Sequence, residues 1–416
     1  MSDVRPFRGV RPYKALVKKV ASPPYDVLNS REARQMAEGN PYTFLHVNKP
    51  EIDLPDDIDP HDERVYERGA QNLRLMMDKG VIARDEKPFF YVYKQIMGDH
   101  AQVGLVAAAS VAEYEKNLIK KHEFTRPDKE DDRVKHIDHQ NAQVGPVFLT
   151  YRATRQMDSL IETVMQNEPE YDFVSEDEVR HTLWVVNAEQ MINDIRQAFA
   201  AIPALYVADG HHRSAAAMRI KQQRQAANPN HTGEESYNFF LSVIFPHNQM
   251  QILDYNRVVK DLKGNTPAEF LQKISEKFDV TPNPVPCKPE TAHSFGMYLS
   301  GEWYQLTAKP GTFADSDPVK RLDVSILQEN LLNPVLGIEN PRKDTRIDFV
   351  GGIRGLAELE KRVNSDGWAV AFAFFPTSID ELMAIADANE VMPPKSTWFE
   401  PKLRTGLVIH LLGDLA

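Results

Sequence analysis

The chain has 416 residues, of which 42% are hydrophobic and 26% charged, a composition typical of a folded globular protein of two or three domains. Its 49 Lys and Arg residues against 60 Asp and Glu residues give a net charge of −11, which argues against a protein whose main task is to coat nucleic acid. Cys287 is the only cysteine, so an internal disulfide and a Cys-rich zinc site are excluded. The apolar runs are too short to cross a membrane and the first residues lack the apolar core of a signal peptide, so we expect a cytoplasmic protein.

Apolar periodicity and turn residues predict both helices and strands along residues 1–110. A helix is expected over 30–38 with Ser30 as its N-cap, and a second helix over 64–79. Two strands, 89–93 and 102–107, are expected on either side of a turn at Gly98 and Asp99.

The same patterns continue over residues 111–246. The predicted strands are 146–151, 181–187, 204–208 and 237–245, and the predicted helices are 157–166, 191–199 and one that begins at 214. The densely charged stretch 114–133 is open to two interpretations, a solvated loop with salt bridges or part of a functional site.

Residues 247–416 form the third predicted region. Helices are expected over 266–278, 319–332 and 379–388, strands over 368–375 and 406–412, and irregular structure over the proline-rich stretch 281–289. The whole pattern predicts a mixed α/β (α/β or α+β) fold in three regions, 1–110, 111–246 and 247–416.

The strongest chemical signal is the run Asp209 to Arg213, between a short apolar strand and an alanine-rich helix. Helix N-termini expose N–H groups that suit an anion, and Gly210 allows a ligand to approach closely. The guanidinium of Arg213 and the hydroxyl of Ser214 suit phosphate, while the carboxylate of Asp209 suits Mg²⁺. The alternative is a helix cap beside polar surface histidines; zinc is disfavoured because no third ligand lies at a standard spacing.

Four motifs together resemble the prokaryotic domain-of-unknown-function 1015 family: SPPYDV at 22–27, KHEFTRP at 121–127, ADGHHR at 208–213 and MPPKSTWFEPK at 392–402. The box at 209–213 is also similar to that of free-serine kinases of the ParB/sulfiredoxin fold. That resemblance implies a ParB/sulfiredoxin-like central region between flanking α/β regions, with nucleotide phosphates and a metal ion at the box. Sulfiredoxins have a cysteine where this chain has His211 and His212, which disfavours their reaction.

The charged cluster at 120–126 offers groups for phosphoryl transfer to a hydroxyl. Such a transfer needs an acceptor for the hydroxyl proton and cations for the phosphates. Glu123 is the candidate base, and the side chains expected to screen phosphate charge are Lys120, Lys121, His122 and Arg126.

Three further groups are weaker candidates for the same pocket. Tyr25 and Asp26 follow two prolines that hold them in a stiff segment, and they either close the pocket or form a rigid turn. Arg257, just after the predicted turn at 254–256, is a candidate to reach the same pocket. The polar and basic residues near the end are candidates for an anion contact or members of a loop: Lys395, Ser396, Thr397 and Lys402.

These observations predict a small-molecule kinase that phosphorylates free L-serine, with ATP or ADP as donor and Mg²⁺ as cofactor. The predicted catalytic residues are Glu123, Asp209 and His211, with Asp209 also the metal ligand. The predicted phosphate- and nucleotide-binding residues are Gly210, His212, Arg213, Ser214, Lys121 and Arg126. The alternatives are a nucleotide-binding regulator without catalysis, a ParB-like DNA-binding protein, and a phosphotransferase or hydrolase with another substrate. The net charge and the lack of a recognition helix after the box oppose the DNA-binding alternative.

Overall fold

The computed structural model describes residues 2–413, which divide into two units, 2–250 with 401–413 and 251–400. The strands, numbered in chain order, are β1 (Val4–Arg5), β2 (Val10–Pro12), β3 (Ile82–Arg84), β4 (Phe90–Met97), β5 (His100–Ser110), β6 (Ile119–Lys120), β7 (Ala142–Gln143), β8 (Val147–Tyr151), β9 (Tyr171–Val174), β10 (Arg180–Val186), β11 (Leu205–Asp209), β12 (Phe239–Pro246), β13 (Gln251–Leu253), β14 (Tyr255–Val259), β15 (Phe278–Asn283), β16 (Ser294–Leu299), β17 (Glu302–Ala308), β18 (Ile347–Gly351), β19 (Val370–Phe374), β20 (Trp398–Glu400) and β21 (His410–Leu411).

Helices occur in both units. They are α1 (Val17–Val20), α2 (Ser30–Ala37), α3 (Leu45–Asn48), α4 (Glu63–Asp78), α5 (Val111–Glu115), α6 (Pro127–Gln140), α7 (Arg155–Met165), α8 (Glu189–Ala200), α9 (His211–Ala227), α10 (Pro267–Ile274), α11 (Asp323–Leu327), α12 (Gly355–Ser365) and α13 (Ile379–Asp387). The expected mixed α/β class is confirmed. Among residues 2–413, none of these helices combines the length and the apolar character needed to cross a bilayer.

The first unit is organised by a nine-stranded mixed sheet. Its strand order is β6-β11-β8-β12-β5-β4-β10-β9, with β1 paired to β5. Apolar side chains of its central strands and of α7 and α8 form one buried cluster, which includes Phe90, Leu149, Ile195 and Phe199. Burial of such side chains is the main favourable contribution to folding.

The strand β5 explains why the first two predicted regions lie in one unit. It pairs antiparallel with β4 across the predicted turn at Gly98 and Asp99, and antiparallel with β12 on its other side. Because β4 lies before residue 110 and β12 lies near residue 246, the sheet continues across the expected boundary at 110. The expected boundary at 246 lies four residues from the end of this part of the unit, and residues 401–413 return to it.

The second unit contains an antiparallel six-stranded sheet, in the order β15-β17-β16-β19-β14-β18. Residues 281–283 of the proline-rich stretch belong to the edge strand β15, so the prediction that 281–289 is irregular throughout was wrong. Proline is tolerated there because an edge strand leaves one row of backbone N–H groups unpaired in any case.

Several other element boundaries differ from prediction for local reasons. Asn29, not Ser30, caps α2, through a reciprocal pair of hydrogen bonds with Glu32. The helix expected over 319–332 begins at Asp323 and changes to a π-helix at Gln328. The last predicted strand is reduced to β21.

The charged stretch 114–133 is not a loop throughout. From Pro127 it forms α6, a helix of 14 residues. Proline suits the first position of a helix because its missing N–H needs no partner there, and the acidic Asp128 and Glu130 favour the positive end of the helix dipole. The charges after Pro127 therefore belong to a helix, within which Asp132 is buried, and the loop interpretation did not foresee this.

Candidate phosphate-binding site

The candidate site lies where two parallel strands end side by side in the first unit. The strand β6 pairs in parallel with β11, with Ile119 opposite Leu205 and Lys120 opposite Tyr206. The chain after β6 therefore runs in the same direction as the chain after β11. This pairing brings the segment of Glu123 next to the predicted box, where the N–H of Arg126 donates to Nε2 of His212, 86 residues further along the chain.

Gly210 forms the junction between β11 and α9. Its φ is +101°, a conformation that residues with a side chain rarely adopt. A Cβ atom at this position would lie 3.2 Å from both Cζ and Nε of Arg213. The N-cap residue Gly210 has no side chain that could cap the first turn of α9, and the N–H groups of an uncapped first turn suit an anion.

The carboxylate of Asp209 is held between two cations. Its Oδ2 lies 3.7 Å from Nζ of Lys402 and 3.7 Å from Nη2 of Arg213. Burial raises the pKa of Asp209, but Lys402, Arg213 and the nearby His211 outweigh it, and the pKa is about 2. Asp209 is therefore ionised at neutral pH.

The guanidinium of Arg213 is fixed by groups from three parts of the chain. Its Nη1 donates to the carbonyl of Pro146, and its Nη2 lies 3.6 Å from Oδ2 of Asp26. Burial acts to lower the pKa of Arg213, but Asp209, Asp26 and Tyr25 together raise it above the ordinary value. Arg213 is thus a permanently charged group beside the start of α9.

Arg133 packs against Tyr25, which in turn interacts with Arg213, and the sequence did not single it out. Its guanidinium lies 3.8 Å from the ring centroid of Tyr25, and its Nη2 lies 2.5 Å from Oδ2 of Asp132. Asp132 also accepts a hydrogen bond of 3.0 Å from the hydroxyl of Tyr66. Arg133 stands at the end of a charged run in the sequence, where no pattern separates it from its neighbours.

Two buried histidines meet beside the box. His122 is 2% exposed and His211 is 4% exposed, and their rings pack edge to face with centroids 4.4 Å apart. Burial lowers the pKa of His122 to about 4 and that of His211 well below its ordinary value. His122 is neutral at pH 7, so it cannot screen phosphate charge as the sequence suggested.

The same histidines place Glu123. Nδ1 of His211 lies 3.7 Å from Oε2 of Glu123, whose side chain is 40% exposed. Nδ1 of His122 and Nε2 of His211 are buried, and neither has a hydrogen-bond partner among residues 2–413. Glu123 therefore faces both solvent and the first residue of α9.

The remaining predicted ligands have local partners. The N–H of Arg126 donates to Nε2 of His212 over 3.1 Å, while its guanidinium pairs with Asp128 at 2.7 Å. The hydroxyl of Ser214 donates to the carbonyl of Gly210 over 3.2 Å and so is used within the helix. The ammonium of Lys121 lies 4.2 Å from the ring centroid of Tyr114.

A small enclosed cavity lies behind Arg213 in the same unit. Its lining includes Tyr25, Arg133, Asn48 and Gln140, and its volume is about 40 Å³. Oδ1 of Asn48 and Oε1 of Gln140 are buried without a partner among the described residues. The cavity has room for water molecules, which could serve these two unpartnered oxygen atoms.

The weaker candidates of residues 251–400 form their own cluster in the second unit. Arg257 is 4% exposed, and its guanidinium donates to the carbonyls of Tyr255 and Lys395. The rings of Phe349 and Phe374 lie 5.3 Å and 4.5 Å from it. These contacts make Arg257 a clamp for the segment around Lys395.

The protein contributes few ligands for a metal ion. Among residues 2–413 there is no group of three or more His, Cys, Asp or Glu side chains that could hold one. Mg²⁺ in nucleotide sites is often bound by one or two carboxylates together with phosphates and waters, so Asp209 alone fits that limited role.

Comparisons with solved structures give distant matches. A mutant of a free serine kinase in complex with AMP is 12% identical, with a TM-score of 0.37, covering 71% of this chain and 86% of that chain. A conserved hypothetical protein from Pyrococcus furiosus is 12% identical, with a TM-score of 0.33 and coverage of 71% and 90%. SbnI with a C-terminal truncation, from Staphylococcus aureus, is 12% identical, with a TM-score of 0.35 and coverage of 72% and 84%. At this level of similarity no residue role carries over.

No curated protein matches the chain. The model of one protein family, described as "Protein of unknown function (DUF1015)", matches residues 4–325. This match covers most of the sequence, including residues 120–126 and 209–214 of the site and the first part of the second unit, while Lys402 lies beyond it. The chain therefore belongs to the DUF1015 family, as its four motifs predicted.

Proposed function

We propose that the protein is a cytoplasmic small-molecule kinase that transfers a phosphoryl group from ATP or ADP to the hydroxyl of free L-serine. The observation that carries the proposal is that Arg213 lies beside Asp209 and Glu123 lies beside His211, both at the N-terminus of α9. A cation and free N–H groups suit the donor phosphates, and a solvent-facing carboxylate suits the acceptor hydroxyl.

The phosphates would lie at the first turn of α9. The turn offers backbone N–H groups, the positive end of the helix dipole and the fixed charge of Arg213. Gly210 keeps this position open, because a side chain there would meet the Arg213 guanidinium. Arg213 needs no rearrangement to act, since the Pro146 carbonyl and Asp26 already hold it in place.

Asp209 would hold Mg²⁺ together with the phosphates. The ion would neutralise phosphate charge during transfer. Lys402 and Arg213 already compensate the charge of Asp209, so the protein holds this carboxylate ionised and oriented without a metal ion. Phosphate oxygens would have to supply other ligands.

Glu123 would accept the proton of the attacking hydroxyl. A general base must lie within hydrogen-bond reach of the proton it removes, and Glu123 has one side open to solvent where an acceptor can approach. The neutral ring of His211 lies on its other side and would orient the carboxylate. The choice of serine comes from the resemblance of the Asp209–Arg213 box to that of free-serine kinases.

The test is formation of O-phosphoserine by the purified protein with L-serine, Mg²⁺ and either ATP or ADP. We expect product with the native protein and with Glu67→Gln, which removes a carboxylate from an exposed position of α4. We expect Glu123→Gln to lower kcat about 100-fold or more, the scale of general-base catalysis, with nucleotide affinity retained. Absence of O-phosphoserine with both donors would refute the serine assignment.

A nucleotide-binding regulator without turnover is the second candidate. It is favoured by the two cations that already flank Asp209 and would compete with a metal ion. In that case ATP or ADP would bind the native protein, Asp209→Asn would change that binding, and no phosphorylated product would form with any of the amino acids tested.

A further inference from the structure

Phe124 is an unusually exposed aromatic residue beside the candidate site. Its relative exposure is 66%, whereas aromatic side chains of a folded protein usually bury most of their surface. The ring therefore contributes little to the core of the unit.

The residues on both sides of Phe124 contact the start of α9, Glu123 through its side chain and Arg126 through its backbone N–H. Glu123 lies 3.7 Å from Nδ1 of His211, and the N–H of Arg126 donates to Nε2 of His212 over 3.1 Å. Since successive Cα atoms are about 3.8 Å apart, the Cα of Phe124 lies within about 8 Å of both attached residues. The exposed ring is thus held at the rim of the first turn of α9.

A single exposed aromatic side chain on most surfaces has no further meaning, but this one stands where a phosphorylated ligand would extend away from the helix. Aromatic rings stack on nucleobases with a sequence-tolerant gain of about 1–3 kcal/mol per base. Phosphate contacts at α9 cannot recognise the base of a nucleotide, because these groups interact only with the negatively charged phosphate oxygens. An apolar ring near them can.

We propose that Phe124 stacks on the base of the nucleotide whose phosphates lie at the N-terminus of α9. This inference rests on the proposed function, since it assumes that the phosphate ligand is a nucleotide. It makes the segment Glu123 to Arg126 a two-part element, in which one residue faces the acceptor and the next binds the donor.

The experiment compares ATP with tripolyphosphate, which has the phosphates without the base, by calorimetry on the full chain. The variants are Phe124→Ala, Phe124→Tyr and the control Tyr13→Ala, which removes a ring of matched exposure, 68%, whose backbone N–H is bonded to Val81. We expect Phe124→Ala to weaken ATP binding about tenfold and to leave tripolyphosphate binding unchanged. Phe124→Tyr and Tyr13→Ala should bind both ligands as the native protein does.

The outcomes separate the two proposals. If the native protein binds ATP and Phe124→Ala binds it equally well, stacking is refuted while the proposed function stands. If Phe124→Ala weakens ATP and tripolyphosphate binding to the same degree, Phe124 acts on the phosphate site through the fold, and stacking is again refuted. If the native protein binds tripolyphosphate but gains nothing from the base of ATP, stacking fails; if it binds neither ligand, the proposed function fails as well.

Discussion

Gly210 joins β11 to α9 in a backbone conformation that L-residues rarely adopt, and its replacement by alanine separates two effects. At φ +101° any side chain adds backbone strain, which for such conformations costs about 1–3 kcal/mol of folding free energy. The new Cβ would also lie 3.2 Å from the guanidinium carbon of Arg213, so this group must move by a few tenths of an ångström. The first effect concerns stability, and the second concerns the site.

Gly233→Ala provides the matched control. Gly233 has a similar φ of +93°, but a Cβ atom there would meet nothing within 4 Å. Both variants should therefore lower the free energy of unfolding by about 1–3 kcal/mol in urea titrations. Only Gly210→Ala should also weaken binding of ATP or tripolyphosphate, and a loss of about tenfold corresponds to 1.4 kcal/mol.

Two outcomes would contradict the expected effect of Gly210→Ala. If Gly210→Ala binds both ligands as tightly as Gly233→Ala does, the close approach of Gly210 to Arg213 has no bearing on the site. If Gly233→Ala weakens binding to the same extent, general destabilisation accounts for the loss. Either result would show that the close approach of Gly210 to Arg213 does not determine anion binding at α9.

Other substitutions test the groups around this junction and the second unit. Arg133→Lys should lower the free energy of unfolding by about 1–2 kcal/mol and weaken nucleotide binding, because lysine loses the planar stack on Tyr25; unchanged binding in calorimetry would show that this stack does not position Arg213. Burial raises the pKa of Asp323 to about 7, although the His293 N–H acts to lower it. Its neutral form therefore stabilises the fold below the unfolded pKa of about 4, and this stability is lost as the pH rises through 7. The loss is at most on the order of 4 kcal/mol at about 1.4 kcal/mol per pKa unit. Urea titrations at pH 5.5 and 8.5 cover roughly the upper half of this window, so the native protein should be about 2 kcal/mol less stable at pH 8.5, with a smaller difference in Asp323→Asn.

The sequence predicts those parts of the fold that depend on local patterns. The hairpin at Gly98 and Asp99, the strand that ends at Asp209 and the following helix are all confirmed, because apolar alternation and glycine act within a few residues. The prolines of 281–289 wrongly predicted irregular structure where β15 forms, because proline is tolerated in an edge strand. The helix α6 was missed because surface charge on a helix and charge in a loop look alike in sequence.

The site shows the same division. The box from Asp209 to Arg213 is one continuous segment, so the sequence predicts its position at the junction of a strand and a helix. Its partners are not continuous with it: Lys402 lies 193 residues after Asp209 and Asp26 lies 187 residues before Arg213, and only the folded sheet brings them within 3.7 Å. Burial also changes the charge state of a side chain in ways that the residue type alone does not indicate. His122 looks like a cation in the sequence and is a neutral, buried ring in the fold.

Under the proposed function, charge compensation at α9 would give the site its chemical selectivity. Asp26 and Asp209 together offset Arg213 and Lys402, so the four groups leave no large net charge at the helix N-terminus. The attraction for an anion then comes from the helix itself and from the fixed direction of the Arg213 donors, both of which act over a short distance. Such a site would bind a phosphate placed at one position far better than it would attract a charged polymer. That property would agree with the net charge of −11 of the whole chain, since it would let an acidic protein hold a small phosphorylated ligand.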